Sequence, residues 1–272
     1  MSDTFLKWAG GKKWFVNNES DRLPNVNEFN RYIEPFLGSG AVYFYLKPDE
    51  AILSDINQEL INTYISVRDE VDLVYRNLLR HQRNNSRDYY YTVRNTRTRT
   101  TATSAARMIY LNKACFNGIY RVNRQGGFNV PYGTDRDITF DRNNFIRTSN
   151  ILQDANILCQ DFQQTIDLAE ENDFLFCDPP YAVVNEDNRF VSYTADIFSW
   201  DDQVRLAHTL ENAKNRNVKI IMTNVDHPAV RELYQGIEGF VLDTVERQCF
   251  ISGTTEGRRA YHELIVSANI QN

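Results

Sequence analysis

No stretch of the sequence approaches the roughly 20 consecutive apolar residues that a membrane-spanning helix needs, and the opening MSDTFLKWAGGKKW has no apolar core of the kind found in a secretory leader. A cytoplasmic protein without a membrane partner is therefore expected. Cysteine is scarce: Cys115, Cys159, Cys177 and Cys249 lie far apart, with no C-x-x-C spacing and no histidine pair nearby. That pattern argues against a disulfide framework and a zinc site, and predicts reduced packing residues and no metal. A G-x-x-x-x-G-K-[ST] loop is missing as well, which speaks against a nucleoside triphosphate. Proline does not occur between Pro48 and Pro131.

Acid is missing from one place only. From residue 76 to 124 there are eleven Lys or Arg (Arg76, Arg80, Arg83, Arg87, Arg94, Arg97, Arg99, Arg107, Lys113, Arg121, Arg124) against the single acid Asp88, in a chain whose net charge is -6. Charge segregated in this way suits a basic surface for a polyanion set in an acidic body. A solvated helical face or a linker such as NTRTRTTATS has the same composition. At 272 residues and 42% hydrophobic content, the chain can bury one large core, or one core and a smaller inserted lobe.

The order of signals favours the second arrangement. Residues 31–34 (RYIE) read as a strand running into the glycine loop PFLGSG, then a helix over 41–46, then a strand over 51–54 ending at Asp55. This is half of a nucleotide-binding α/β unit. From 57 to about 108 the apolar residues recur at helical spacing. Strand and helix alternate again after about 150: strands over 156–159, 174–177 and 218–223, and a helix opened by the capping-box-like Ser199-Trp-Asp-Asp202 with Val204, Ala207 and Leu210 on one face. A helix near Asp226 should carry Pro228 in its first turn. Two strands, 240–245 and 262–268, close the chain. The expected division is an α/β catalytic domain in two parts, 1–56 and 146–272, interrupted by a basic helical lobe over 57–145.

Two motifs carry chemistry. In an open α/β sheet the loop after the first strand binds ligands, and Asp55 ends the neighbouring strand, where a carboxylate can accept both hydroxyls of a ribose. Ribose without a phosphate cradle suggests an adenosyl compound. The second motif, DPPY (178–181), follows the wholly apolar FLFC. The Asp178 carboxylate and the Pro179 carbonyl are two acceptors for the two hydrogens of an exocyclic amine. Prolines 179 and 180 stiffen the loop, and the Tyr181 ring offers a face on which a base can stack for about 1–3 kcal/mol. A rigid turn leaving a strand is the plainer alternative for Asp-Pro-Pro.

FLKWAGGK (5–12), EPFLGSGAVYF (34–44), SDIN (54–57), LNKACFNGIYRVNRQGGFNVPYG (111–133), QDF (160–162) and DPPY occur in this order, and with them the sequence resembles the Dam-type DNA adenine-N6 methyltransferases, the class with the cofactor motif ahead of the catalytic one. The resemblance runs from residue 5 to about 268. It implies an α/β fold: a Rossmann-like, S-adenosylmethionine-dependent methyltransferase sheet with an inserted, mainly helical DNA-recognition domain carrying a β-hairpin. It also implies a monomer that methylates N6 of an adenine flipped out of double-stranded DNA, within GATC.

Laid onto this sequence, the resemblance gives S-adenosylmethionine to Trp8, Ala9 and Lys12 at its methionine end, Phe36 and Gly38 in the glycine loop, Asp55 at the ribose, and Asp161 and Phe162 at the adenine. Asp178, Pro179, Pro180 and Tyr181 hold the target adenine, with Asp178 also near the cofactor. Arg121 reads a guanine, Ile119 and Pro131 touch neighbouring bases, and Phe116 and Asn117 meet the orphaned partner of the flipped base. Lys7 contacts the first base pair, and Asn123 is a further DNA contact. Phe116 departs from the family's common tyrosine. Plainer roles exist for several of these: core aromatics for Trp8 and Phe36, a helix cap for Asp161, hairpin packing for Phe116 and Ile119. Other planar amines (cytosine N4, RNA, a protein amide) and a non-catalytic DNA-binding module are the competing functions.

Overall fold

The computed structural model describes residues 4–8, 10–118, 120–122, 127–133, 137–181, 198–248 and 260–270. In chain order the elements are α1 (Lys13–Asn18), β1 (Tyr32–Glu34), α2 (Ala41–Leu46), β2 (Ala51–Asp55), α3 (Gln58–Asp69), α4 (Val71–Arg83), α5 (Arg87–Asn95), α6 (Thr101–Ala114), α7 (Arg142–Leu152), β3 (Ala155–Cys159), α8 (Phe162–Ile166), β4 (Phe174–Cys177), α9 (Trp200–Asn215), β5 (Lys219–Val225), α10 (Pro228–Glu232), β6 (Val241–Gln248) and β7 (Ala260–Ala268). Strand order in the sheet is β3-β2-β1-β4-β5-β7-β6. The α/β expectation is met, and no helix among the described residues is long and apolar enough to cross a membrane. The chain divides into two compact units, residues 1–20 with 37–160, and residues 21–36 with 161–272.

In the first unit, β2 and β3 pair in parallel from Ala51↔Ala155 to Asp55↔Cys159. Asn57 caps α3 by accepting the Leu60 N–H at 3.1 Å, and α3 then buries Leu60, Ile61, Tyr64 and Val67 along one face. Helix α6 starts at a Thr100/Thr103 capping box and buries residues on every side, from Ala102 to Ala114, so it forms the centre of the helical lobe. Arg107, in α6, donates to the backbone carbonyls of Val93 (3.0 Å) and Arg94 (2.6 Å), closing the C-terminal end of α5. The basic block is thus of two kinds. Arg107 is spent on structure, and Arg94 bonds the Val130 carbonyl at 3.3 Å, whereas Arg76, Arg80, Arg83, Arg87, Arg97, Arg99, Lys113 and Arg121 are exposed.

In the second unit, β4 lies between parallel neighbours, β1 (Tyr32↔Phe174) and β5 (Phe174↔Lys219 to Cys177↔Met222), and all four of its side chains are fully buried. A strand covered on both faces reads as a continuous apolar run, which is why FLFC shows no alternation. Strand β7 then joins β5 antiparallel (Ile220↔Ala268 to Val225↔Glu263), and β6 pairs with β7 antiparallel (Val241↔Ser267 to Gln248↔Ala260). The Ser199/Asp202 capping box opens α9 as expected, and Pro228 stands in the first turn of α10. Cys115 and Cys177 are buried, and Cys159 is half-buried and free; Cys249 lies outside the described residues.

Candidate active site and DNA-reading loop

Strand β4 delivers Asp178 from a fully buried run, and its neighbours hold the motif in place. Thr223, buried on β5, donates to Asp178 Oδ1 at 3.0 Å, and the Tyr181 hydroxyl donates to Oε2 of Glu263 on β7 at 2.7 Å. Gln203 of α9 donates to the Pro180 carbonyl at 3.3 Å and accepts from Asn224 at 3.0 Å, a buried chain leading from β5 to the loop. Burial, with the Asp178 and Glu263 carboxylates close by, pushes the Tyr181 hydroxyl well above its usual range and keeps it a neutral donor. The same burial raises the Cys177 thiol.

Phe36 stacks on Phe162, with ring centroids 5.4 Å apart and planes 26° apart, and Phe198 meets Phe36 edge-on at 5.6 Å. Asp161 is the N-cap of α8, accepting the Gln163 N–H at 2.9 Å. It also receives both arms of Arg205, at 2.6 and 2.9 Å, and the Arg205 guanidinium lies 4.0 Å from the centre of the Phe162 ring. Arg205 above all holds the Asp161 carboxyl below the usual carboxylate range.

In the first unit the glycine loop is tied to the tip of β2. Leu37 N–H bonds the Ser54 carbonyl at 2.9 Å, Gly38 N–H bonds Asp55 Oδ2 at 3.2 Å, and Asn57 N–H bonds Asp55 Oδ1 at 2.9 Å. Burial raises the Asp55 carboxyl against the pull of those amides. Gly38 has φ +46°, and a Cβ there would stand 2.8 Å from Trp8 Cδ1, so only glycine fits beside the indole. Lys12 is buried and donates to the Gly10 carbonyl at 3.1 Å. Ile56, next to Asp55, is 67% exposed.

The segment after α6 is the one expected to form a hairpin. Among the described residues its strands meet at two isolated antiparallel bridges, Cys115↔Tyr132 and Val122↔Phe128, instead of a continuous ladder. Asn117 (φ 56°) and Gly118 (φ 66°) both take left-handed backbone, which turns the chain sharply and leaves Phe116 and Asn117 exposed. Buried Asn112 accepts the Lys7 N–H at 2.9 Å, and its amide donates to the carbonyls of Lys7 (2.8 Å) and Gly118 (3.2 Å), stapling the N-terminal motif to the turn. Lys7, Phe116 and Asn117 share the wall of a cavity of about 130 Å³ with Lys113, Tyr132 and Ile138. Exposed Pro131 accepts the Phe116 N–H at 3.0 Å. Arg121 is exposed; its Nε donates to Asn129 Oδ1 at 2.8 Å and a terminal nitrogen donates to the Asn129 carbonyl at 3.4 Å, so Asn129 holds one edge of the guanidinium. Ala9, Ile119 and Asn123 lie outside the described residues.

Comparison with known proteins decides the family. The family model described as D12 class N6 adenine-specific DNA methyltransferase matches residues 8–248. The chain belongs to this family. The type II methyltransferase M1.LlaDCHI of Lactococcus lactis subsp. cremoris is 32% identical over 97% of this chain and 94% of its own length. The type II methyltransferase M.MjaIII of Methanocaldococcus jannaschii is 38% identical over 81% of this chain and 83% of its own. A DNA adenine methylase of Haemophilus influenzae is 34% identical over 96% and 92%.

This D12 methyltransferase is an enzyme acting on adenine N6 in DNA, and several of its supporting residues escape sequence reasoning. Thr223 and Glu263 sit in strands where a polar residue resembles ordinary alternation. Gln203 falls among the core-facing residues of α9, so the buried residues are Gln203, Leu206, Ala207, Thr209, Leu210 and Ala213, with Val204 only half-buried. Arg205 and Phe198 are distant in sequence from the QDF motif they complete. Asn129 escapes sequence reasoning too, because only the bridge register Val122↔Phe128 sets it opposite Arg121.

Proposed function

We propose that this D12 methyltransferase uses S-adenosylmethionine and methylates an adenine flipped out of double-stranded DNA, with GATC as its target, working as a monomer in the cytoplasm. The observation that carries the reading is the DPPY motif at the end of buried β4, with Asp178 oriented by Thr223 and Tyr181 by Glu263, in a chain of a family that acts on adenine N6.

The residues fit the cofactor. Gly38, without a Cβ, lets the Trp8 indole lie against the backbone of the glycine loop, and Asp55 presents a carboxylate at the tip of β2 with its loop already tied down. We assign Trp8, Ala9 and Lys12 to the methionine end, Phe36 and Gly38 to the loop, Asp55 to the ribose, and Asp161 and Phe162 to the adenine. Exposed Ile56 adds an apolar face beside the ribose. When bound, S-adenosylmethionine supplies a methyl group on a positively charged sulfur, open to in-line attack.

The chain's own residues prepare the nucleophile. Adenine N6 is weakly nucleophilic because its lone pair is delocalised into the ring. Accepting its two hydrogens at the Asp178 carboxylate and the Pro179 carbonyl favours a pyramidal nitrogen and returns density to the lone pair. The same carboxylate stabilises the positive charge that develops on N6 and can accept the proton N6 gives up once it carries the methyl group, so alignment and electrostatics suffice without a strong base. Pro180 stiffens the loop. Stacking on Tyr181 offsets the few kcal/mol that extruding a base costs.

For DNA reading, Arg121 presents its fork to guanine O6 and N7, Ile119 and Pro131 touch neighbouring bases, Phe116 and Asn117 fill the place of the flipped nucleotide, and Lys7 and Asn123 make flanking contacts. Residues 57–145 act as the recognition domain. Methylation-sensitive sequencing of DNA from cells expressing the chain, with mass spectrometry of the modified base, tests the reading. N6-methyladenine within GATC is expected. Another motif would overturn the assigned target, and methyl transfer to any other base would overturn the assigned chemistry.

A further inference from the structure

Trp8 of the KWAGGK motif is in contact with the DNA-reading loop. Its indole stacks on Tyr120, with centroids 5.0 Å apart and planes 19° apart, while its other neighbour is Gly38 of the glycine loop. Tyr120 is fixed on three sides. Its ring meets Phe128 edge-on at 5.8 Å, and its hydroxyl donates to Glu59 Oε2 at 2.8 Å; Glu59 in turn pairs with Arg107 at 3.4 Å. The residue that follows in the chain is Arg121, whose carbonyl accepts the Asn129 N–H at 3.0 Å. Asn112 holds the main chain of Lys7, the residue before Trp8, against the same loop. The aromatic ring of the cofactor motif and the backbone of the base reader are therefore two ends of one packed column, all within the first unit.

We infer that Tyr120 is a positioning residue that couples cofactor binding at Trp8 to sequence reading by Arg121; this rests on the cofactor and DNA roles proposed above. A ligand against Trp8 restricts the indole, and with it the ring stacked on its face. Arg121 then has less freedom to lose when it engages a base, so the second ligand binds more tightly to a loop already ordered. Binding linkage is reciprocal, and DNA must raise cofactor affinity by the same factor. Tyr120→Leu removes the stack; Tyr120→Phe keeps it and deletes only the hydroxyl with its bonds to Glu59 and Asn57.

The test is a titration of a fluorescent duplex carrying the sequence found methylated, with and without saturating S-adenosylhomocysteine. For the native chain the ratio of the two dissociation constants should be at least about fivefold, the lower end of typical coupling between sites. It should be retained in Tyr120→Phe and fall toward one in Tyr120→Leu. Equal ratios in the native chain and Tyr120→Leu, or a native ratio of one, overturn the inference even where DNA is methylated. Loss of S-adenosylhomocysteine or DNA binding by the native chain instead removes the function proposed above, and this inference with it. Hydrogen exchange on the native chain needs no variant: S-adenosylhomocysteine alone should slow exchange of the Asn129 amide, and an unchanged rate overturns the coupling.

Discussion

Thr223 decides how the Asp178 carboxylate is turned, because its hydroxyl donates to one oxygen of that group from a neighbouring buried strand. Asp178→Ala is expected to abolish methyl transfer, while Asp178→Asn, which keeps an acceptor in place, retains more activity; equal rates for Asp178→Ala and the native chain would exclude the mechanism. Thr223→Val preserves shape and removes only the donor. A hydrogen bond to a charged group contributes about 1.5–3 kcal/mol, so kcat should drop roughly 10- to 150-fold with cofactor affinity unchanged. Single-turnover kinetics beside calorimetry separate the two effects. Asp161 shows a different balance: its oxygens cap α8 and pair with Arg205, so the helix cap that its sequence position allowed is realised, and any cofactor contact is shared with that duty.

At the scale of elements, the helical lobe buries a histidine. His81 is buried on α4, stacks on Tyr110 at 4.8 Å, and its Nδ1 shares a hydrogen bond with the Tyr89 hydroxyl at 2.9 Å. Burial first, then Arg80 and Arg107, lower its pKa to about 4. The unfolded chain therefore binds the proton that the folded lobe refuses. Stability rises with pH between about 4 and the ordinary histidine value near 6.5, and is lost as pH falls through that window. Urea melts at pH 7 and pH 5 should show the native chain losing up to about 2 kcal/mol more than His81→Phe, which keeps the stack and cannot titrate. An identical pH response in both would refute this account.

Elements bounded by motifs are the legible ones. The helix after PFLGSG and the strand FLFC fall where they are expected, because a glycine turn or a buried apolar run marks each end. Helix α7 is not anticipated by the periodicity: it opens with Arg-Asn-Asn, and its buried residues Phe145, Thr148, Ser149 and Leu152 are half polar, which hides the period. Gln203 escapes for the same reason, since a buried amide that satisfies Asn224 and Pro180 leaves no hydrophobic trace. The motifs proposed to hold the cofactor and the target base can be read from the chain, but the donors packed around them cannot, because they come from strands distant in sequence.

For the molecule as a whole, net charge is a poor guide to its partner, and the exposed arginines are a better one. Arg97→Ala or Arg99→Ala should weaken DNA binding evenly across sequences and reduce the slope of log affinity against log salt by about 0.9 for each phosphate no longer neutralised. Arg121→Ala should instead relax discrimination at one base pair by about 1–3 kcal/mol. Arg107→Ala should lower the melting temperature, because it uncovers the carbonyls of Val93 and Arg94 and leaves Glu59 without its pairing partner. Comparing methylation of GATC with its single-base variants, across a salt series, distinguishes the first two outcomes. A uniform loss at every base for Arg121→Ala would remove it from base reading.

Strand β7 lies between β5 and β6 although it follows both in the chain. During synthesis β5 therefore emerges with one side of Ile220 to Val225 unpaired, and waits for a partner that is made after β6. The same late strand brings Glu263, the acceptor for Tyr181. Ribosome-bound chains should thus carry an open, apolar edge and an unfinished DPPY loop until β7 is translated, which delays methyl transfer until the fold is complete and makes that interval the one most exposed to aggregation. A chain shortened to end at Gln248 should sediment as aggregate, and should be rescued by a separate peptide spanning β7.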